Sequence, residues 1–172
     1  MNADTIGKVV FSESDIRDGV YRVATALNNQ FKQAVIITVV PGGMLFTADL
    51  VRQLTFDIYM DTISCPHTPG DRDNNSDIVY CQNIDISNRD VILIDDAVES
   101  GGTMKRLVQH ISTKFKANSI SVATLFVKPG RVNIGAKEYY GFEMDNDDLL
   151  VGYGLPWQDK LRNMPFVAKL KA

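Results

Sequence analysis

One short stretch of sequence, residues 91–104, constrains the fold of this chain more than any other. It reads V-I-L-I-D-D-A-V-E-S-G-G-T-M. The four aliphatic residues at its start are typical of a strand buried on both faces of a sheet. The stretch ends in small residues (100–103), and a helical pattern begins behind them over residues 107–111. Strand, small-residue loop and helix N-terminus in this order predict an anion site, because loop N–H groups and the helix dipole point at one ligand.

Two adjacent acids, Asp95 and Asp96, stand directly after the aliphatic run. Carboxylates beside a phosphate cradle repel the phosphate. Their presence therefore indicates a ligand that also carries hydroxyl groups or a bound cation, both of which prefer oxygen partners. The simpler alternative is an ordinary strand–turn–helix whose small residues only cap the helix.

Composition excludes several classes of function. With 172 residues the chain is long enough for one α/β domain. A net charge of −3 and the absence of a basic run give no support for a nucleic-acid partner. Cys65 and Cys81 lack zinc-site spacing, so free thiols are expected, although a disulfide between them stays open. Without a signal-like N-terminus or a bilayer-length apolar stretch, we expect no membrane partner and a cytoplasmic location.

Helical and strand patterns alternate along the chain. Ser12 and Asp15 form a candidate capping box for a first helix. Strands are predicted over residues 34–40, 56–63, 77–81, 91–94 and 119–127, with a second helix over 44–54 and a third after 103. This alternation predicts a doubly wound, mostly parallel sheet flanked by helices. Ligands bind such sheets beyond the carboxyl ends of the strands, where three loops begin (41–43, 95–103 and 128–131).

A polar loop over residues 65–76 is rich in Pro, Gly, Asp and Asn. Loops of this length without secondary structure are uncommon in a compact domain and are often lids over an active site. We therefore expect a lid over about residues 63–77.

The 91–104 stretch resembles the signature of the type I phosphoribosyltransferases, which bind 5-phosphoribosyl-1-pyrophosphate. That signature is an aliphatic strand, two acids, three residues and then Ser/Thr-Gly-x-Thr. The rest of the chain is similar to the 6-oxopurine branch, the hypoxanthine-guanine phosphoribosyltransferases. The matching segments are S-E-S-D-I (12–16), G-G-M-L-F-T-A-D-L (42–50), F-V-K (126–128) and L-L-V-G-Y-G-L (149–155). The resemblance implies one domain over 1–172, with a small hood subdomain from about 1–14 and 136–172.

The resemblance also implies a role for each matched residue. The loop of residues 100–103 would anchor the 5-phosphate, while Asp95 and Asp96 would hold the ribose hydroxyls and Mg²⁺, directly or through water. Arg162 would approach the pyrophosphate, and Lys128 would reach the purine oxo group. Glu99, at a position usually held by aspartate, would accept the purine proton as general base. The implied substrate-binding set is Gly42, Gly43, Asp95, Asp96, Ala97, Val98, Ser100, Gly101, Gly102, Thr103, Lys128, Leu149, Leu150 and Arg162.

Four positions near the base and pyrophosphate depart from the family pattern. Leu149 replaces the aromatic that stacks on the base, Asp148 replaces a lysine, Pro156 replaces a magnesium-binding acid, and Pro41 replaces the lysine of the first loop. Three interpretations therefore stay open: salvage of hypoxanthine or guanine to IMP or GMP, transfer to adenine or xanthine, and a non-catalytic nucleotide-binding regulator. The family resemblance further implies a homodimer or homotetramer.

Overall fold

The computed structural model describes residues 6–66, 76–144 and 148–171. In chain order the elements are β1 (Ile6–Phe11), α1 (Glu13–Asn28), β2 (Gln33–Val40), α2 (Met44–Val51), β3 (Asp57–Ser64), β4 (Asp90–Val98), α3 (Gly102–Lys114), β5 (Ser119–Val127), β6 (Lys137–Glu143), β7 (Leu150–Val151) and β8 (Val167–Leu170). No helix among these residues is long and apolar enough to cross a bilayer.

Five strands form the main sheet, in the order β3-β2-β4-β5-β6, and every neighbouring pair is parallel. Apolar residues fill both faces of β2, β4 and β5, and they divide into two cores. The apolar stripes of α1 and α2 belong to one core, and that of α3 belongs to the other. Helices therefore cover both faces of the sheet, which confirms the predicted fold class.

The start of α1 is built as the sequence predicts. The Asp15 N–H donates to Ser12 Oγ at 3.2 Å, and the Ser12 N–H donates to Asp15 Oδ2 at 2.8 Å. These reciprocal bonds satisfy two backbone donors that the first helical turn leaves without partners.

Strands from near both chain ends form a second, antiparallel sheet in the order β1-β8-β7. This small sheet fits the expected hood, although the C-terminal hood range expected from about residue 136 also includes β6. β6 begins at Lys137 and pairs in parallel with β5, so it belongs to the main sheet. The first hood strand after it is β7.

Three other expectations need correction. β4 runs on through Asp95 to Val98, because Ala97 and Val98 still pair with Phe126 and Val127 of β5. Residues 77–81 do not form a strand and contribute only an isolated bridge between Val79 and Ser64.

The third correction is that α2 stops at Val51 rather than at residue 54. Asn28 donates through Nδ2 to the Gln53 carbonyl (3.0 Å) and accepts from the Thr55 N–H (2.8 Å), which holds this segment in a turn. Of the expected lid, residues 67–75 lie outside the described residues, and Ser64 belongs to β3.

Candidate active site

The carboxyl ends of β2 and β4 lie side by side, since Thr38 pairs with Ile94. Gly42 follows β2, and Asp95 and Asp96 lie near the end of β4. A Cβ added to Gly42 would stand 3.0 Å from Asp95 Oδ1 and 3.0 Å from Asp96 Oδ2. A side chain at this position would require both carboxylates to shift by a few tenths of an ångström, so the glycine loop and the acid pair form one site.

The next residue, Gly43, packs against the strand backbone behind the acids. A Cβ there would stand 2.6 Å from the Ile94 carbonyl oxygen and 2.8 Å from Asp95 Cα. The Gly43 N–H donates to the Val39 carbonyl at 2.9 Å, and Gly43 then caps α2. This glycine therefore brings the first loop close to β4, whereas Gly42 faces the carboxylates.

A third glycine closes the site from the hood. Gly154 has φ +100°, and a Cβ there would stand 2.6 Å from the Gly42 carbonyl oxygen and 2.9 Å from Asp96 Cβ. Arg162 donates through Nη1 to the Gly154 carbonyl at 2.6 Å. Segments separated by more than a hundred residues in the chain thus meet at the acid pair.

The electrostatics of the acid pair favour a positively charged or hydroxyl-bearing partner. Burial raises the pKa of Asp95 well above its usual range, and repulsion by the Asp96 carboxylate adds to the effect. Burial also raises the pKa of Asp96, against the opposing effect of hydrogen bonds and of Arg162. The Asp96 N–H donates to Asp95 Oδ1 (2.9 Å), and the Ala97 N–H donates to Asp96 Oδ1 (2.8 Å). These hydrogen bonds and Arg162 do not fully offset burial, because both pKa values stay raised. A bound cation would therefore stabilise the charged form of both acids.

The small-residue loop leads into α3 as the sequence predicts. Gly101 precedes the helix with φ +85°, a left-handed conformation that favours glycine. A Cβ there would stand 3.1 Å from the Val132 carbonyl oxygen. The Val132 N–H donates to the Ser100 carbonyl at 2.9 Å, and Ser100 Oγ accepts from the Gly102 N–H at 3.4 Å. The backbone donors of the first turn, which includes Thr103, have the arrangement that binds anions at helix N-termini.

The far end of the site holds two opposite charges. Lys128 follows β5, and its N–H donates to the Val98 carbonyl at 2.9 Å. Lys128 Nζ lies 3.6 Å from Glu99 Oε2, with the lysine side chain 13 % exposed and the glutamate 55 % exposed. The structure therefore brings together Lys128, expected to contact the purine oxo group, and Glu99, expected to accept the purine proton.

The other expected base contacts differ among themselves. Leu149 is 49 % exposed and available to a ligand, whereas the Leu150 and Val98 side chains are buried in the two cores. A ligand can therefore meet Leu150 and Val98 only through their backbone. Asp148 is engaged in an ion pair with Lys169 of β8. Sequence reasoning missed Lys169, because the pairing of β7 with β8 that brings it alongside leaves no signal in the sequence.

Sequence reasoning also missed Tyr153 and Gly154, both in the hood loop, which their contacts hold in place. Tyr153 donates through its hydroxyl to Asp49 Oδ2 of α2 at 2.6 Å. Burial and the Asp49 carboxylate both raise the pKa of Tyr153, so the hydroxyl remains a donor. The segment 149–155 could have indicated this tyrosine and Gly154 as candidates, but neither the bond to α2 nor the positive φ can be read from residue types.

Known proteins with the same architecture extend these observations. A family model for the phosphoribosyl transferase domain matches residues 12–158. The hypoxanthine-guanine phosphoribosyltransferase of Streptococcus thermophilus is 31 % identical over 171 residues, covering 96 % of this chain and 94 % of that protein. The enzyme of the same name from Staphylococcus epidermidis is 27 % identical over 168 residues, covering 95 % and 93 %.

Solved structures give the same relationship. The crystal structure of a hypoxanthine-guanine phosphoribosyltransferase from Bacillus anthracis superposes with a TM-score of 0.87 at 30 % identity, covering 98 % of this chain and 99 % of that one. The chain belongs to the phosphoribosyltransferase family, in its hypoxanthine-guanine branch.

Proposed function

We propose that this chain is a purine salvage enzyme. It transfers the 5-phosphoribosyl group from phosphoribosyl pyrophosphate to hypoxanthine or guanine, giving IMP or GMP and pyrophosphate. The observation that carries the proposal is the acid pair, in which Asp96 is buried and Asp95 half-buried, set beside the close-approaching Gly42 and Gly154 and before the start of α3. A sugar phosphate has hydroxyl groups for the acids and a phosphate for the helix N-terminus, so one ligand satisfies both halves of the site.

Each end of the substrate has a matching group. The N–H and hydroxyl donors of residues 100–103 bind the 5-phosphate, with support from the α3 dipole. Asp95 and Asp96 accept hydrogen bonds from the ribose hydroxyls. Arg162 and the backbone N–H of Gly42 bind the pyrophosphate, which is the leaving group, whereas the Gly43 N–H is used by the Val39 carbonyl.

The acid pair also fits Mg²⁺. This ion prefers hard oxygen donors, and it is commonly held by one or two carboxylates together with water and substrate phosphate oxygens. Asp95 and Asp96 supply two such carboxylates. Burial raises the pKa of both, so a cation bound between them would stabilise their charged form. When bound, Mg²⁺ would neutralise charge on the pyrophosphate.

The reaction breaks the bond from the anomeric carbon to the pyrophosphate oxygen and forms a bond from that carbon to a purine ring nitrogen. Substitution at such a carbon passes through oxocarbenium character. The proton on the attacking purine goes to Glu99, whose carboxylate lies at the base end and is exposed enough to change rotamer. Lys128 donates to the 6-oxo group, which favours hypoxanthine and guanine over a base with an amino group there.

The choice of base also depends on Asp148. A free carboxylate at this position would repel an oxo group and accept from an exocyclic amine. The ion pair with Lys169 balances that charge, and this removes the main electrostatic argument for adenine. Adenine, xanthine and a role without catalysis are therefore outcomes that the assay must distinguish.

The test is product formation from phosphoribosyl pyrophosphate and Mg²⁺ with hypoxanthine, guanine, xanthine and adenine in separate reactions, followed by chromatography of the nucleotides. We expect IMP and GMP. A double Asp95→Asn, Asp96→Asn variant is the matched control, since it keeps side-chain size and removes the carboxylates. Product from adenine alone or xanthine alone would show that the enzyme uses that base instead. Binding of phosphoribosyl pyrophosphate without product from any base would instead support a non-catalytic, nucleotide-binding regulator.

We also propose that the chain forms a homodimer or homotetramer. Large apolar side chains are exposed on α2 and on the edge strand β3, namely Met44, Leu45, Tyr59 and Met60. Light scattering coupled to size exclusion should give a mass two or four times 19.1 kDa. A monomer mass at micromolar concentration would contradict this proposal without affecting the enzymatic one.

A further inference from the structure

The turn after β5 has a feature that the proposed chemistry does not use. Arg131 lies three residues after Lys128, with Pro129 and Gly130 between them. Gly130 has φ +71°, as the second central position of a type II turn requires. Arg131 folds back and donates through Nη1 to the Lys128 carbonyl at 3.0 Å. The Arg131 side chain thus bonds to the first residue of the turn in which Arg131 itself lies.

β6 fixes the arginine from the other side. Arg131 Nε donates to Glu138 Oε2 at 3.0 Å, and Nη1 lies 3.5 Å from Glu143 Oε1. The guanidinium carbon stands 5.4 Å from the centre of the Tyr140 ring. Because the guanidinium is planar and rigid, its contacts with β6 also determine where its bond to Lys128 points.

These contacts decide the position of Lys128 in the site. The Lys128 N–H is bonded to the Val98 carbonyl and its carbonyl is bonded to Arg131, so its backbone is held on both sides. Its ammonium reaches Glu99 from that fixed backbone. The same turn continues to Val132, whose N–H holds the Ser100 carbonyl of the anion loop.

Arg131 is poorly suited to bind phosphate or pyrophosphate itself. Its side chain is only 16 % exposed, and Nε and Nη1 already have acceptors within the protein. Removing the guanidinium would therefore release the Lys128 carbonyl and leave Glu138 without its charge partner, whereas no substrate contact would be lost directly.

We infer that Arg131 is a positioning residue that sets where the Lys128 ammonium meets the purine base. This inference rests on the proposed function. Lys128 is fixed more strongly than the end of a strand alone would fix it, and the acids of β6 take part in base binding without touching the base.

The test compares two arginines that each bond to a backbone carbonyl and lie over an aromatic ring of β6. Arg131→Met removes the guanidinium and keeps most of the aliphatic stem. Arg22→Met is the matched control, because Arg22 of α1 donates to the Gly141 carbonyl and lies 4.9 Å from the centre of the Phe142 ring. We expect Arg131→Met to raise the KM for hypoxanthine about tenfold, as loss of a fixed hydrogen-bonding group does. Its KM for phosphoribosyl pyrophosphate should stay within about twofold of the wild-type value, because the backbone bond from Val132 to Ser100 in the anion loop does not involve the Arg131 side chain.

A conservative variant separates positioning from folding. Arg131→Lys keeps the charge but cannot form the two-sided planar fork, so we expect a KM for hypoxanthine between those of the wild type and Arg131→Met. Thermal unfolding is measured for every variant. An increase in the KM for hypoxanthine that is no larger than in Arg22→Met would overturn the inference. Equal losses for both substrates that follow the change in Tm would do the same.

Calorimetry with GMP keeps this inference separable from the proposed function. A wild-type protein without turnover on any base would reject the enzymatic proposal. Equal GMP affinity of the wild type and Arg131→Met would reject the role of Arg131, whatever the turnover. We expect GMP to bind about tenfold more weakly to Arg131→Met.

Discussion

At the scale of single residues, the most informative departure from the family is the acid at position 99. Glutamate has one methylene more than the usual aspartate. Its carboxylate extends far enough to lie 3.6 Å from the Lys128 ammonium while staying largely exposed. A general base must come within hydrogen-bond reach of the proton that it takes. The Glu99 side chain is 55 % exposed and can change rotamer to make that movement, so the extra length is compatible with the role.

We therefore expect Glu99→Gln to lower kcat about a hundredfold or more, because the amide cannot accept the purine proton. The KM for phosphoribosyl pyrophosphate should change little. Glu99→Asp, which restores the usual acid, should keep turnover within about tenfold of the wild type. Steady-state kinetics on both substrates measure these effects, with the exposed Glu13→Gln as control. Full turnover by Glu99→Gln would contradict the assignment of Glu99 as the general base.

At the scale of elements, the active site depends on loops that approach each other more closely than side chains permit. The residue pattern indicated the Gly42–Gly43 loop and the loop before α3. It could not indicate that Gly154 of the hood touches the Gly42 carbonyl, because that contact depends on how the two sheets pack. In the same way, β5 was predicted with its observed bounds from a largely apolar segment, whereas β6 was missed. β6 is an edge strand with mixed burial, and its pairing with β5 decides its structure.

Two glycines with the same backbone constraint test the importance of this close approach. Gly154 and Gly135 have φ of +100° and +75°. A Cβ at Gly154 would meet the Gly42 carbonyl oxygen at 2.6 Å, whereas a Cβ at Gly135 would have nothing within 4 Å. Gly135→Ala should cost about 1 kcal/mol of stability from backbone strain alone.

Gly154→Ala should cost more than this, and it should also raise the KM for phosphoribosyl pyrophosphate about tenfold, because the loop must move away from the acid pair. Thermal unfolding and substrate titrations of the two variants measure the difference. If the two alanine variants behaved alike, the contact between Gly154 and Gly42 would not matter for the site.

At the scale of the whole molecule, one buried acid outside the active site contributes to stability. Asp61 of β3 is 5 % exposed and accepts from the backbone N–H groups of Asn83 (2.9 Å) and Ile84 (3.2 Å), as well as from Asn83 Nδ2 (2.9 Å). Burial alone would raise its pKa, but these bonds and that of Thr62 outweigh burial and lower the pKa below the ordinary 3.8. The carboxylate thereby holds residues 80–84 against the sheet.

The sign of the pH effect follows from the lowered pKa. Stability from Asp61 is fully present above its ordinary pKa and is lost as pH falls through the lower pKa of the folded state. Asp61→Asn should therefore cost about 2 kcal/mol at pH 7, and the difference from the wild type should shrink at pH values below 3.8. Urea unfolding at several pH values measures it, with the exposed Asp57→Asn as control. A difference that stayed constant down to pH 2 would contradict the assignment.

The sequence supported the order of layers and most of the site, since a strand, two acids and a small-residue loop carry strong local signals. It did not support features that depend on packing between distant segments. The Asp61 cluster, the Tyr153–Asp49 bond and the Asp148–Lys169 pair each join residues whose types are unremarkable for their neighbourhoods. Their geometry exists only once the two sheets are in place.

The pairing of β1 with β8 has a consequence for how the protein is made. The ribosome synthesises β1 before the five strands of the parallel sheet and β8 after them, so β1 has no partner while the parallel sheet assembles. Arg162 and Gly154 follow all five strands of the parallel sheet in the chain, so a nascent chain stalled after β6 should carry that sheet without these two residues of the candidate site.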